Sequence, residues 1–312
     1  MIKDKKVHSG LVSPNIGNTL VMGSTVKRRL VVSFSGGRTS AFMLWWLLNE
    51  WKDRQNWEII VVFANTGKEV EGTLFFVDEC AKEWGINIIW LEAKHKDRTG
   101  KTFSNKGWKV SYKIVDYETA SRKGEPFEEM ISVLGIPSTE APFCSPQLKR
   151  EPIKAYLKDI GWDDYYIAIG IRYDEQQRLN DNWMTNNIYY PLCFTKPTIK
   201  RQIKEFWDNQ SFDLDIHVDD GNCDGCWKKS FPTLTRIMNR KPQTFEWWEN
   251  MSVKYGYFNP RNIDYSGERF NFYRGNESVL DIKQMAELSQ AELKQLTMFD
   301  VLDGCAESCE VW

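Results

Sequence analysis

A short apolar run, Leu30-Val31-Val32, leads straight into Ser33-Phe34-Ser35-Gly36-Gly37-Arg38-Thr39-Ser40. Ala41-Phe42-Met43-Leu44-Trp45-Trp46-Leu47-Leu48 follows with no spare residue. The pattern reads as a buried strand, a glycine-rich turn carrying hydroxyls, and a helix. Backbone N–H groups in such a turn can face an anion, and the helix N-terminus behind them adds a positive dipole. Ser35, Thr39 and Ser40 offer hydroxyl donors without bulk, and the glycines permit close backbone approach. The chemistry indicated is phosphate binding, above all of a nucleotide. An ordinary helix start capped by Ser or Thr would use the same residues, so the turn needs support from elsewhere in the chain. It lacks Gly-x-x-x-x-Gly-Lys and Gly-x-Gly-x-x-Gly, which disfavours a P-loop ATPase and a dinucleotide fold.

Support comes from the run of elements behind it. Ile59-Ile60-Val61-Val62-Phe63 reads as a second buried strand, ending in the loop Ala64-Asn65-Thr66-Gly67-Lys68-Glu69. A helix over about 71–84 and a strand over 86–91 follow. Strand alternating with helix predicts right-handed crossovers and a parallel sheet. Residues 95–125 are charged and without clear period, and read as a long loop or an excursion over the sheet edge. Helices are expected over 127–134, 146–157 and 198–207. A strand is expected over 165–171, ending at Arg172, and a short extended segment over 188–192. Ligands of open parallel sheets bind at the carboxyl ends of the strands, which groups Ser35–Ser40, Asn65–Glu69 and Arg172–Arg178. Residues 1–28 read as an irregular arm, 29–215 as the α/β domain, and 216–312 as a cysteine-rich, mostly helical part. In that part 241–260, with Phe245, Trp247, Trp248 and Tyr255, reads as an amphipathic helical region, and 280–296 as a helical hairpin. The four aromatic residues suit packing, or stacking on a nucleic-acid base.

The net charge of −2 over 312 residues gives no global electrostatic case for nucleic acid. No apolar run reaches a membrane span, and the polar N-terminus lacks the core of a signal peptide. A cytoplasmic protein with no membrane partner is expected. In that compartment the seven cysteines point to metal ligands or redox thiols rather than disulfides. Cys223-x-x-Cys226 has chelating spacing, although a reduced thiol pair would share it. Cys80 falls on an apolar helix face and reads as core. His8, His95 and His217 show no ligand spacing.

Five segments in order resemble the phosphoadenosine phosphosulfate (PAPS) reductase-like branch of the PP-loop ATP pyrophosphatases, the adenine nucleotide alpha-hydrolase superfamily. They are Ser35-Gly36-Gly37-Arg38-Thr39-Ser40; Phe63 to Glu69; Phe143-Cys144-Ser145 leading to Leu148-Lys149-Arg150-Glu151-Pro152; Gly170-Ile171-Arg172-Tyr173-Asp174-Glu175 with Arg178; and Gly221-Asn222-Cys223-Asp224-Gly225-Cys226. Tyr117 to Arg122 and Gly124 to Phe127 look like a phage-encoded subgroup. Two departures stand out. Thr39 occupies a position where the family loop often carries Asp. The C-terminal Gly304-Cys305-Ala306-Glu307-Ser308-Cys309-Glu310 is not the tail of thioredoxin-dependent sulfonucleotide reductases.

The resemblance implies an α/β fold with helices on both faces of a parallel sheet and an adenine nucleotide, ATP or PAPS-like, as ligand with Mg²⁺. It places Ser33, Ser35, Gly36, Gly37 and Thr39 on the phosphates or sulfate, and adds Asn65, Thr66, Gly67, Lys149 and Gly170 to the nucleotide site. Arg38, Ser40, Arg172 and Arg178 are the candidates for charge neutralisation during transfer. Carboxylates that would serve the magnesium are Glu69, Asp174 and Glu175. Cys144, which stands where related reductases supply a cluster ligand, joins Cys223 and Cys226 in an iron–sulfur or zinc centre. Cys193 is the preferred fourth ligand, and Cys305 and Cys309 compete with it. The activity implied is adenylation of an acceptor with pyrophosphate release, extending to sulfur transfer. Partners would be an acceptor, small molecule or nucleic acid, and a sulfur donor or thiol reductant protein; a homo-oligomer is left open. A thiol-dependent sulfonucleotide reductase using Cys305 or Cys309 is the rival enzyme. A non-catalytic nucleotide-sensing or nucleic-acid-associated module is the rival of another class.

Overall fold

The computed structural model describes residues 27–96, 109–139, 141–260, 267 and 269–288. Six strands and nine helices are described in chain order: β1 (Arg28–Ser33), α1 (Arg38–Asn49), β2 (Trp57–Asn65), α2 (Glu71–Glu83), β3 (Ile88–Lys96), β4 (Lys109–Val115), α3 (Glu125–Leu134), α4 (Glu151–Asp159), β5 (Tyr166–Ala168), β6 (Ile188–Tyr189), α5 (Pro191–Phe194), α6 (Lys200–Trp207), α7 (Phe231–Arg240), α8 (Thr244–Tyr255) and α9 (Val279–Glu287). The sheet order is β4-β3-β2-β1-β5-β6. β5 pairs parallel with β1 and with β6. The fold is α/β, and its sheet is mostly parallel.

The exception is β4, which pairs antiparallel with β3 from Trp90↔Val115 to Lys96↔Lys109. It corrects, at Lys109–Val115, the long loop that was one of the two readings of 95–125. Val110, Tyr112 and Ile114 alternate with Lys109, Ser111 and Lys113, a period of two that an edge strand needs. High local charge disguised that alternation. Lysines on an exposed edge also discourage pairing with a second sheet. β5 is shorter than the expected 165–171, because Ile171 N–H turns back on the Ile169 carbonyl (3.0 Å). The helix expected from Pro146 begins instead with one widened turn, Pro146–Arg150, ahead of α4. Of the arm expected over 1–28, only Lys27 and Arg28 lie among the described residues. The C-terminal half of the 280–296 hairpin lies outside them, as do Cys305 and Cys309.

The chain divides into two compact units. The first comprises residues through Phe34, then Arg38–Val61 and Asp164–Asp213. It buries the apolar face of β1 (Leu30, Val31, Val32) and of α1 (Phe42, Leu44, Leu47). Phe206 of α6 meets Phe42 and Trp45 with ring centroids 4.9 and 4.8 Å apart. Such aromatic contacts each add a fraction of a kcal/mol to about 1.5 kcal/mol beyond burial.

The second unit comprises Ser35–Gly37, Val62–Asp163 and the chain from Leu214. Its core joins α3 (Phe127, Met130, Ile131) to α7 (Leu234, Ile237) and α8 (Phe245, Trp248). α7 starts on Ser230, whose hydroxyl accepts the Thr233 N–H, with Pro232 in the first turn. The turn before α7 is fastened by buried carboxylates. Asp219 accepts a two-pronged contact from Arg236 (2.7 and 3.0 Å), and Asp220 another from Arg240 (2.6 and 3.1 Å).

Candidate functional site

The loop after β2 is held from inside the second unit. Asn65 is fully buried. Its amide nitrogen donates to Glu92 Oε1 (2.8 Å) and to the Ser121 carbonyl (2.9 Å), and its carbonyl oxygen accepts the Gly67 N–H (3.0 Å). Glu92, itself 1% exposed, also accepts the Ser121 N–H and hydroxyl (2.5 and 2.9 Å). The sequence reading put Asn65 on the nucleotide; in the structure its polar atoms are engaged in shaping the loop. Glu92 was missed, although a lone carboxylate within the apolar strand Ile88–Lys96 is a readable signal.

Gly67 then takes φ +76°, which L side chains rarely adopt. Its carbonyl accepts the Gly124 N–H (2.8 Å). Glu69 folds back so that one carboxylate oxygen accepts both the N–H and the hydroxyl of Thr66 (2.9 and 2.8 Å). Its other oxygen lies 3.8 Å from Lys149 Nζ. Lys68, buried, lays its ammonium 4.9 Å from the Trp247 ring centre. Burial lowers its pKa, against the opposing pull of Asp224, Cys223 and Glu69.

This loop meets the cysteine segment. Glu69 bridges Cys223 in antiparallel fashion, and the Asp224 N–H donates to the Lys68 carbonyl (2.6 Å). Cys223 Sγ is 3.4 Å from Thr66 Oγ1. Cys144, Cys223 and Cys226 line one pocket with Thr66, Lys149, Phe127, Leu148 and Trp227. The pocket is partly open to solvent. Burial, then Glu69 and Cys226, push the Cys223 thiol pKa up, while Lys149 and Thr66 act to lower it. An ion or electrophile that favours thiolate would have to overcome that burial. Among the described residues no three His, Cys, Asp or Glu side chains are placed to hold one metal ion. The structure thus brings Cys144, Cys223, Cys226, Thr66 and Lys149 together.

Cys193 lies in the first unit. Its thiol donates to the carbonyls of Ile171 and Arg172 (both 3.2 Å). Burial, with Glu175 and Asp174, pushes its pKa up to about 12. The thiol is held in the fold as a neutral donor. Arg172, 5% exposed, donates from Nε to Asp174 (2.9 Å) and from Nη1 to the Thr39 hydroxyl (3.2 Å). Glu175 lies 3.5 Å from its remaining nitrogen and accepts Arg178 at 2.6 Å. Asp174 also accepts the Lys200 N–H (3.2 Å). Burial opposes its ionisation, yet the Arg172 hydrogen bond and the Lys200 N–H leave its pKa below the usual carboxylate value. Gly170 is required because a Cβ there would come within 2.9 Å of the Ser40 backbone. Arg38 grips Asp213 with two contacts of 2.6 and 2.8 Å, and Trp207 donates to its carbonyl (3.0 Å).

The two loop glycines differ. Gly36 has φ +78°, and a Cβ there would meet Thr73 at 2.7 Å and Val77 at 3.1 Å. Its role is to let the chain pass close over α2. At Gly37 the nearest such atom is Ser35 Oγ at 3.9 Å. Gly37, one residue before α1, is the position that leaves room. Ser33 closes β1.

A mostly parallel α/β sheet whose first strand ends on a Ser-Gly-Gly turn defines the class: a PP-loop protein. Residues 29–187 match the phosphoadenosine phosphosulfate reductase domain, and the chain belongs to that family. It is 32% identical over 299 residues to the uncharacterized nin region protein ORF290 of Escherichia phage lambda, covering 90% of this chain and 94% of that one. An uncharacterized protein of Methanocaldococcus jannaschii is 25% identical over 254 residues, which span 74% of this chain and 42% of that protein. Among solved structures, the U34-tRNA thiolase NcsA from Methanococcus maripaludis with its [4Fe-4S] cluster aligns with a TM-score of 0.36 at 12% identity. That alignment covers 77% of this chain and 75% of the thiolase.

Proposed function

We propose that this chain is an adenine-nucleotide-dependent enzyme that activates an acceptor oxygen with ATP and delivers sulfur through a centre at Cys144, Cys223 and Cys226. The observation that carries the reading is the convergence of those three cysteines on one pocket with Thr66 and Lys149. Cys144 reaches it from a segment remote in sequence from Cys223-x-x-Cys226, so the pocket is not an accident of local spacing.

Three thiolates on one pocket suit a cluster with one open iron. Tetrahedral zinc, with Zn–S bonds of about 2.3 Å, needs its sulfurs gathered within roughly 4 Å of one another. An iron–sulfur cluster takes each thiolate on a separate iron and spreads them wider. Three thiolates would hold it at Cys144, Cys223 and Cys226; when bound, the cluster would supply an open iron for sulfur. Around it, Lys149 offsets the charge of the thiolates, and Phe127, Leu148 and Trp227 keep the walls dry. Cys193, spent on backbone carbonyls, is left out of the centre. Glu69, whose carboxylate accepts from Thr66 and faces Lys149, reads as a loop brace rather than a magnesium ligand.

At the first loop the phosphates would lie against Ser35, Gly37 and the start of α1, where backbone donors and dipole point the same way. The acceptor oxygen attacks the α-phosphorus, the new P–O bond forms, and the bond to the β-phosphate oxygen breaks with pyrophosphate leaving. Side chains contribute charge neutralisation rather than covalency. Arg172 sets the Thr39 hydroxyl, leaving its proton to donate toward an anion.

The test is anaerobic purification followed by two product assays. Bound iron with acid-labile sulfide, and pyrophosphate from ATP with transfer RNA, duplex DNA or small metabolite pools as acceptors, is the expected result. Sulfite from PAPS and a dithiol, with no pyrophosphate from ATP, would overturn the reading in favour of a reductase. ATP binding by calorimetry with no pyrophosphate released on any acceptor would overturn it in favour of a non-catalytic module.

A further inference from the structure

Trp227, the residue after Cys226, is 2% exposed. Its indole Nε1–H is buried with no hydrogen-bond acceptor among the described residues. Two other buried tryptophans are satisfied. Trp248 donates to the Asp224 carbonyl (2.9 Å), and Trp207 to the Arg38 carbonyl (3.0 Å). A buried indole N–H ordinarily finds a partner, and stranding one costs about 1–3 kcal/mol. The exception sits on the wall of the cysteine pocket. It is also fixed there. The Cys226 N–H donates to the Cys223 carbonyl, and the Lys229 N–H to the Cys226 carbonyl (both 3.0 Å), so the backbone on either side of Trp227 is tied. The Lys228 ammonium stands 5.4 Å from the ring centre, where it draws electron density and sharpens the N–H as a donor.

The acceptors that fill such a pocket are those its cysteines bring. We infer that the Trp227 indole N–H is the hydrogen-bond donor to a sulfur of the centre held by Cys144, Cys223 and Cys226. The inference rests on the three-cysteine reading above and adds a residue to it. Hydrogen bonds to cluster sulfurs stabilise the more negative, reduced state and raise the reduction potential. Partners just outside the ligands hold the centre as well as tune it. Trp227 is therefore a positioning and tuning residue, not a ligand.

Trp207 supplies the control. It is likewise a buried indole, but its N–H donates to the Arg38 carbonyl (3.0 Å) and it does not line the pocket. The experiment is anaerobic reconstitution with ferrous iron and sulfide of wild type, Trp227→Phe and Trp207→Phe, followed by redox titration and by iron release to a chelator. Wild type and both variants should take up iron. Trp227→Phe should show a lower midpoint potential and release iron about ten-fold faster; Trp207→Phe should match wild type in both. Should Trp227→Phe fail to fold, β-(3-benzothienyl)alanine at position 227 keeps the ring shape and removes only the N–H. In that protein the iron-free form should melt no lower than wild type, because a stranded donor is gone, while the loaded form loses potential. Iron uptake with unshifted potential and release in the N–H-deleted protein would overturn the donor role and leave the centre standing. Absence of iron from reconstituted wild type would overturn both.

Discussion

Gly36 and Gly37 look interchangeable on paper, yet the structure gives them separate work. Any side chain at Gly36 meets Thr73 and Val77 and must hold a positive φ, so Gly36→Ala should cost about 1–3 kcal/mol of stability. Gly37→Ala meets only the end of Ser35. It should keep the melting temperature within a few degrees and weaken ATP binding at least ten-fold by calorimetry. Full affinity in Gly37→Ala would move the phosphates away from this turn. Arg172 invites a parallel test. Its guanidinium spans Asp174 and Thr39, a reach that a single ammonium cannot reproduce. Arg172→Lys should therefore lose about 1.5–3 kcal/mol in denaturant unfolding, together with turnover. Loss of turnover at unchanged stability would mean the fork serves the ligand alone.

Among the elements, the turn ahead of α7 is the one whose strength depends most plainly on pH. Asp219 and Asp220 are buried, which opposes their ionisation, but the forks of Arg236 and Arg240 and the ammonium of Lys241 more than compensate. Both folded-state pKa values lie below those of the unfolded chain. The stabilisation is thus complete above the unfolded value of about 3.9 and is lost as pH falls through the lower, folded values. Melting followed from pH 6 down to pH 2.5 should show a steep loss of stability below about pH 4 that is blunted in Asp220→Asn. At neutral pH that variant should be weaker by about 1–2 kcal/mol, at the low end for a charged hydrogen bond because a third of Arg240 is in water. An identical acid limb in both proteins would place the sensitivity elsewhere. The forks themselves were not legible in the sequence. Asp219 and Arg236 are far apart in the chain, and nothing local pairs them. The strands and helices carrying regular apolar periods were legible, as with β1, β2, α2 and α3. β4 was not, because lysines alternate in sequence with its apolar residues.

For the whole molecule, the sequence made the Ser-Gly-Gly turn and the cysteine motif readable because each is a short, dense pattern. What it could not supply was which distant side chains are already spoken for. Cys193, Asn65 and Arg38 have the right chemistry and apt positions, yet each is engaged with its own surroundings. Thr66 and Lys149, expected at the nucleotide, line the cysteine pocket. The ligand set can be read out directly. On the proposed three-cysteine reading, Cys223→Ser should lose most of the iron taken up in reconstitution, whereas Cys193→Ser should retain it and lose only a modest amount of stability. Iron loss in Cys193→Ser equal to that in Cys223→Ser would restore Cys193 as a ligand.

The discontinuous first unit carries a consequence for the order of synthesis. Leu30 pairs with Tyr166, and the unit closes only at Asp213. A ribosome must therefore deliver everything from Val62 to Asp163 before β1 can receive β5. Cys223 and Cys226 emerge later still, after that unit is complete. Of the three cysteines proposed to hold a centre, Cys144 alone would be made for the time needed to add some eighty residues, on the order of 4–16 s at the usual pace of elongation. A nascent chain would thus hold every segment of its first unit before it carries all three proposed ligands, and a chain ended near residue 215 would lack both Cys223 and Cys226.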